Sequence, residues 1–148
     1  MKVIINKCYG GFGISTTALI ELVKRDAKCL DKFTPKKYYG GENEKYRSKD
    51  EWESKWEKDF SKFNKLENGF YSHKWYSLIY KDGLLYSVER DEKTRTDKDL
   101  IELVETLKEK SFGNHAQLAV VEIPDGIEFE IDEYDGIEHI AEKHRTWS

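Results

Sequence analysis

Apolar residues along this chain recur at two periods, and the switches between them outline its elements. Val3, Ile4 and Ile5 form a short β-branched run that predicts a buried strand. The run leads into Cys8-Tyr9-Gly10-Gly11-Phe12-Gly13, where the glycines permit positive φ and close backbone approach. Ser15 stands where a helix N-cap belongs. Leu19, Leu22, Val23 and Ala27 then share one helical stripe, with Glu21, Lys24 and Arg25 outside it. The chain therefore opens as strand, glycine loop and helix.

The middle is patterned differently. Pro35 and Gly40-Gly41 mark loops, and Ser48-Lys49-Asp50-Glu51 has the form of a capping box. Trp52, Trp56, Phe60 and Phe63 follow at helical spacing, which predicts a helix over 49–63. Such a helix either lays its rings on a core or offers them to a partner. Apolar runs at 70–80 and 84–89 flank Lys81-Asp82-Gly83, a hairpin signature. Thr96 or Asp97 can cap a helix carrying Leu100, Ile101, Leu103, Val104 and Leu107, with Gly113 as its stop. A strand at 118–123 turns at Pro124-Asp125-Gly126 into the alternating run 127–132, whose carboxylates should face water. After Asp135-Gly136, residues 137–144 fit a strand or a short helix. The sum is an α+β fold: a largely antiparallel sheet with two or three packed helices, in a single domain.

Composition narrows the class. The chain has 148 residues, two cysteines, a net charge of −4 and a mean hydropathy of −0.80. One domain is expected at this length, large enough for a core without staples. Cys8 and Cys29 are too few for a disulfide scaffold and predict a cytoplasmic chain with free thiols. No apolar run approaches the roughly 20 residues of a membrane span, and the opening residues do not have the form of a signal peptide.

Candidate chemistry sits at the two ends. A strand, Gly10-Gly11-Phe12-Gly13 and a helix starting near Ser15 can present backbone N–H groups to an anion. The phosphate motifs are incomplete, however. No Lys follows at P-loop spacing, and Thr16 stands where the dinucleotide fingerprint needs its third glycine. The structural alternative is a tight turn that lets strand and helix pack closely. The ending Glu142-Lys143-His144-Arg145-Thr146-Trp147-Ser148 places a His, an Arg and a Trp together. His144 and Arg145 could grip a phosphate or carboxylate, and Trp147 could stack on a base or anchor in the core. His139 and His144 lack metal-ligand spacing, and no cofactor motif is complete. His73 and His115 stand alone. Cys8 near His139 or His144 would be a nucleophile–base pair only if the fold brought them together. The acids Asp125, Glu128, Glu130, Asp132, Glu133, Asp135 and Glu138, without an interleaved Lys or Arg, predict the solvated face of a sheet. The lysines of the middle are mixed with acids, and no basic patch with interleaved aromatics stands out, so direct nucleic-acid binding is disfavoured.

The segments at 3–15, at Arg95-Thr96-Asp97 with Leu100-Ile101 and Val104-Glu105, and from Val121-Glu122-Ile123-Pro124-Asp125 through Tyr134-Asp135-Gly136-Ile137-Glu138 to Trp147 resemble small, uncharacterised proteins encoded by bacteriophages and prophages. The resemblance covers both ends and leaves a variable insert at about 30–69. It implies a bacterial cytoplasm as the working compartment and an accessory role against the host. The expected function is a non-catalytic binding protein that captures a host protein or a small anionic, nucleotide-like ligand in counter-defence. Its site would draw on Gly10, Gly11, Phe12, Gly13, Ser15, Arg95, His144, Arg145 and Trp147. No catalytic residue, metal or cofactor is assigned, and a homo-oligomer would suit the role. The alternatives are a small hydrolase of nucleotides or phosphoesters, with His144 or His139 as acid or base and Arg145 stabilising charge, and an acidic decoy presenting Glu128, Glu130 and Asp132.

Overall fold

A computed structural model describes residues 1–35 and 49–143. In chain order the elements are β1 (Lys2–Asn6), α1 (Thr16–Arg25), β2 (Asp31–Phe33), α2 (Lys49–Phe60), β3 (Phe63–Lys65), β4 (Tyr71–His73), β5 (Ile79–Lys81), β6 (Leu84–Ser87), α3 (Glu92–Arg95), α4 (Lys98–Leu107), β7 (Leu118–Glu122), β8 (Phe129–Tyr134) and β9 (Ile137–Glu142). Every strand pairing among them is antiparallel, as an α+β fold of this kind requires. The chain divides into two compact units, one of Met1–Cys29 with the chain from Glu89 onward, the other of Leu30–Val88.

In the first unit β1 pairs with β7, placing Val3 opposite Val121 and Ile5 opposite Ala119. This face packs on Phe129 together with Ile131 and Ile140 of the β8–β9 hairpin. Helix α4 packs against α1, β1 and β7, and Ile4, Leu19, Leu22 and Leu100 are fully buried. The caps follow the sequence signals. Ser15 Oγ accepts from the Ala18 N–H at 3.1 Å, and Asp97, rather than Thr96, caps α4 by accepting from the Leu100 N–H at 2.9 Å. One expectation changes here and one open alternative is decided. Helix α4 stops at Leu107, with Lys108 at φ 52°, so Gly113 is not its terminator. Residues 137–142 are strand, because β9 matches β8 across the two-residue turn Asp135-Gly136.

In the second unit the strand order is β2-β6-β5-β4-β3. The helix predicted over 49–63 ends at Phe60, and Phe63 opens β3. Its aromatics still converge. Trp56 lies 5.2 Å from Phe60 and 5.3 Å from Tyr80, and Phe60 lies 5.2 Å from Tyr71, measured between ring centroids. Such tilted pairs are the favoured geometry of packed rings. Asp82-Gly83 makes the expected hairpin between β5 and β6. The long run 70–80 is not one strand: it breaks into β4 and β5.

Candidate functional site

The predicted glycine loop divides in two. Its second half is tied into the first unit. The Ser15 N–H donates to Ser111 O at 2.9 Å, and its hydroxyl donates to Lys110 O at 2.6 Å. Ile14 bridges Phe112, and the Gly113 N–H donates to Gly13 O at 2.9 Å. Phe12 is buried. Gly13, Ser15 and Phe12 are thus consumed by packing and capping rather than presented to a ligand.

The first half lies against two other backbones. A Cβ on Gly10 (φ 144°) would stand 2.2 Å from His115 O. A Cβ on Gly136 (φ 88°) would stand 2.4 Å from the Gly11 nitrogen and 2.6 Å from the Gly10 nitrogen. Glycine at 136 therefore lets the hairpin turn touch the backbone at 10 and 11, and glycine at 10 lets that loop lie against His115. Tyr9, Gly10, Gly11, Arg90, Glu133, Asp135 and Gly136 line an open cleft of about 540 Å³ at this contact. Tyr9 is 70% exposed. Arg90 is exposed, with one guanidinium nitrogen 3.5 Å from the position of a Gly11 Cβ. Among the described residues no carboxylate is within pairing distance of that guanidinium, although Glu133 and Asp135 share the cleft.

Arg95, a candidate ligand contact, is 3% exposed and clamps Glu138, with Nη1 2.6 Å from Oε1 and Nη2 2.8 Å from Oε2, and does not line the cleft. Its Nε donates to Arg90 O at 3.0 Å, and its guanidinium lies 3.9 Å from the centre of the Phe12 ring. Glu138 also accepts from the Asn6 N–H at 2.7 Å. Glu138 is therefore buried, not part of a solvated acidic face, whereas Glu130, Asp132 and Glu133 are exposed. Asn6 extends the network: its side chain donates to Cys8 O and Gly136 O and accepts from the Gln117 N–H. A buried ion pair needs such additional hydrogen bonds to offset its desolvation.

The remaining candidates separate. Cys8 Sγ donates to His115 O at 3.1 Å, a contact with the backbone and not with an imidazole. Cys29 is buried, and burial followed by the neighbouring Asp97 carboxylate pushes its thiol up to about 12, so it is not a nucleophile. His139 is exposed on β9 opposite Asp132. His144, Arg145 and Trp147 lie outside the described residues. Lys143, the last residue before them, donates to Glu128 O, at the end of the β8–β9 hairpin opposite Gly136. No group of three or more metal-ligating side chains occurs among the described residues, and no described helix is long and apolar enough to cross a membrane. Comparison of the chain with protein-family models, curated proteins and solved structures finds no match.

Sequence reasoning missed Arg90 and the buried role of Glu138. Arg90 had a weak signal, a cation immediately before the Asp91 cap of α3. Glu138 had none, since its partner is distant in the chain.

Proposed function

We propose that the protein is a non-catalytic binding protein whose ligand sits in the cleft of Tyr9, Gly10, Gly11, Arg90, Glu133 and Asp135. The observation that carries this reading is the exposed Arg90 guanidinium beside Gly11, unpaired by any described carboxylate, next to an exposed ring. Arg90 suits one phosphate or carboxylate in a bidentate contact. Tyr9 suits a planar ring. Glu133 and Asp135 accept from hydroxyl or amino groups and repel further negative charge. The combination favours a ligand with a single anionic group and many donors, such as a nucleoside monophosphate or a cyclic nucleotide, over a polyphosphate. The resemblance of the chain's ends to phage-encoded proteins supports an accessory role against a bacterial host, acting in its cytoplasm.

The hydrolase alternative rests on Arg145 with His144 or His139; Arg145 and His144 lie outside the described residues, and His139 stands exposed on β9 opposite Asp132, not among the residues that line the cleft. Calorimetry of the full chain against nucleoside mono-, di- and triphosphates and cyclic nucleotides, with chromatography of the same mixtures, tests the proposal. Binding of a singly anionic member without product is expected. Turnover would replace the binding protein with an enzyme, and silence across the panel would remove the ligand from the account.

A further inference from the structure

The second unit carries an aromatic feature that the cleft does not use. Between β4 and β5 the chain turns through Lys74, Trp75, Tyr76, Ser77 and Leu78. Trp75 and Tyr76 are each 70% exposed, although both side chains could in principle have packed. The turn is held from within. His73 Nδ1 accepts from the Trp75 N–H at 3.0 Å and from the Tyr76 N–H at 3.1 Å. The imidazole lies 4.7 Å from the Tyr76 ring, tilted by 32°, and 5.0 Å from the buried Phe63 ring. The two outward rings thus stand on a braced support and lose little freedom on binding, which is what a preorganised recognition surface needs.

Lysines stand beside the rings, and the nearby carboxylate, Asp59, is already paired with two lysines. The Lys74 N–H donates to Lys62 O, so the two lysines flank the turn. Lys62 Nζ lies 5.9 Å from the Trp75 ring and 3.5 Å from Asp59, whose carboxylate also pairs with Lys55. No Asp or Glu occurs between Glu67 and Asp82, in a chain with 29 acids. The second unit as a whole carries 12 Lys and Arg against 10 Asp and Glu, net +2, and the rest of the chain 13 against 19, net −6. The basic site with interleaved aromatics that the linear sequence did not display is assembled here by the turn.

We infer that this turn is a stacking platform for unpaired nucleobases of a single-stranded nucleic acid, with Trp75 and Tyr76 each taking a base face and Lys62 and Lys74 meeting phosphates. Exposed rings beside cations are the elements by which proteins bind single strands without sequence preference. A duplex hides its base faces and is not a ligand. A free nucleotide offers the same base and phosphate but engages only one ring. The inference is independent of the cleft in the first unit.

The test is fluorescence anisotropy of the full chain with a labelled short oligothymidylate and a labelled oligouridylate, with tryptophan emission followed in parallel. Both strands should bind and quench emission. Trp75→Ala should weaken binding by roughly tenfold or more, and Tyr76→Ala by a similar or smaller factor. Raising salt from about 50 to 200 mM should weaken binding by about sevenfold if both lysines neutralise phosphates. Thymidine monophosphate and a duplex of the same length should displace the labelled strand far less effectively than the unlabelled strand does. Circular dichroism of both variants should match the parent, since the replaced rings are exposed. The inference is overturned if no single strand binds, which would leave the turn to a protein partner. It is also overturned if the Trp75→Ala/Tyr76→Ala double variant binds as tightly as the parent, or if thymidine monophosphate displaces the labelled strand as effectively as the unlabelled strand does.

Discussion

The two units contain the same local turn and use it differently. Asp135-Gly136 in the first unit and Asp82-Gly83 in the second both join hairpin strands, with φ of 49° and 88° in one and 49° and 84° in the other. A Cβ on Gly83 would meet nothing within 4 Å, whereas a Cβ on Gly136 would strike the Gly10 and Gly11 backbone. The first unit is therefore closed by polar and backbone contacts: the Arg95–Glu138 clamp, the Asn6 network and the glycine contact all converge near this turn. The second unit is closed by rings packed between α2 and its sheet, with its hairpin turn left in the open. A charged or glycine-rich motif is not a binding site by composition. In the first unit much of that chemistry is spent on folding, while Tyr9, Arg90, Glu133 and Asp135 face a cleft.

The largest effect should come from breaking the clamp. Glu138→Ala leaves the Arg95 guanidinium buried without its carboxylate and should cost about 3–5 kcal/mol, read by chemical denaturation. Combining it with Arg95→Met should recover part of that loss; equal instability of the single and double variants would contradict the clamp. Next comes the turn comparison itself. Gly136→Ala should cost about 3 kcal/mol, from left-handed backbone strain plus overpacking, and Gly83→Ala only about 1 kcal/mol from strain alone. Similar melting shifts for the two would show that Gly136 has no tertiary role.

A smaller effect concerns His73. Burial, reinforced by the nearby Lys62, holds its pKa below the ordinary 6.5. A lowered histidine pKa means that folding favours the neutral ring, so this contribution to stability is present above pH 6.5 and is lost as pH falls through the folded value. Protonated Nδ1 cannot accept from the Trp75 and Tyr76 amides. Their hydrogen-exchange protection should therefore drop on acidification in the parent and stay flat in His73→Gln, which keeps an acceptor and does not titrate. The smallest effect is chemical. A thiol reagent at mildly alkaline pH should label the partly exposed Cys8 and spare Cys29, whose thiol is pushed up to about 12.

What could be read from the sequence was local. Ser15 and Asp97 caps, both Asp-Gly hairpins and the helical spacing of Trp56 and Phe60 depend on residues a few positions apart. The glycine run at 10–11 was also visible, but its cause was not, because a Cβ on Gly10 would strike His115 and a Cβ on Gly136 would strike the Gly10 and Gly11 backbone. Arg95 looked available for the same reason: nothing near it in the chain announces Glu138, and the alternation before it points carboxylates to water. Residues 70–80 looked like one strand because their rings suit a sheet. The break depends on a histidine accepting from two amides of the following turn, a device with no periodic signature.

On the proposed reading Arg95 is structural, and Arg90, a cleft residue that no carboxylate pairs among the described residues, meets the ligand. The direct measurement is calorimetric titration of a nucleoside monophosphate or cyclic nucleotide into the parent chain and into Arg90→Ala. The account predicts binding at one site per chain in the parent and a loss of about tenfold or more in Arg90→Ala, in line with removal of a charge-assisted contact, with the melting temperature unchanged. Equal affinity in the two proteins would contradict it.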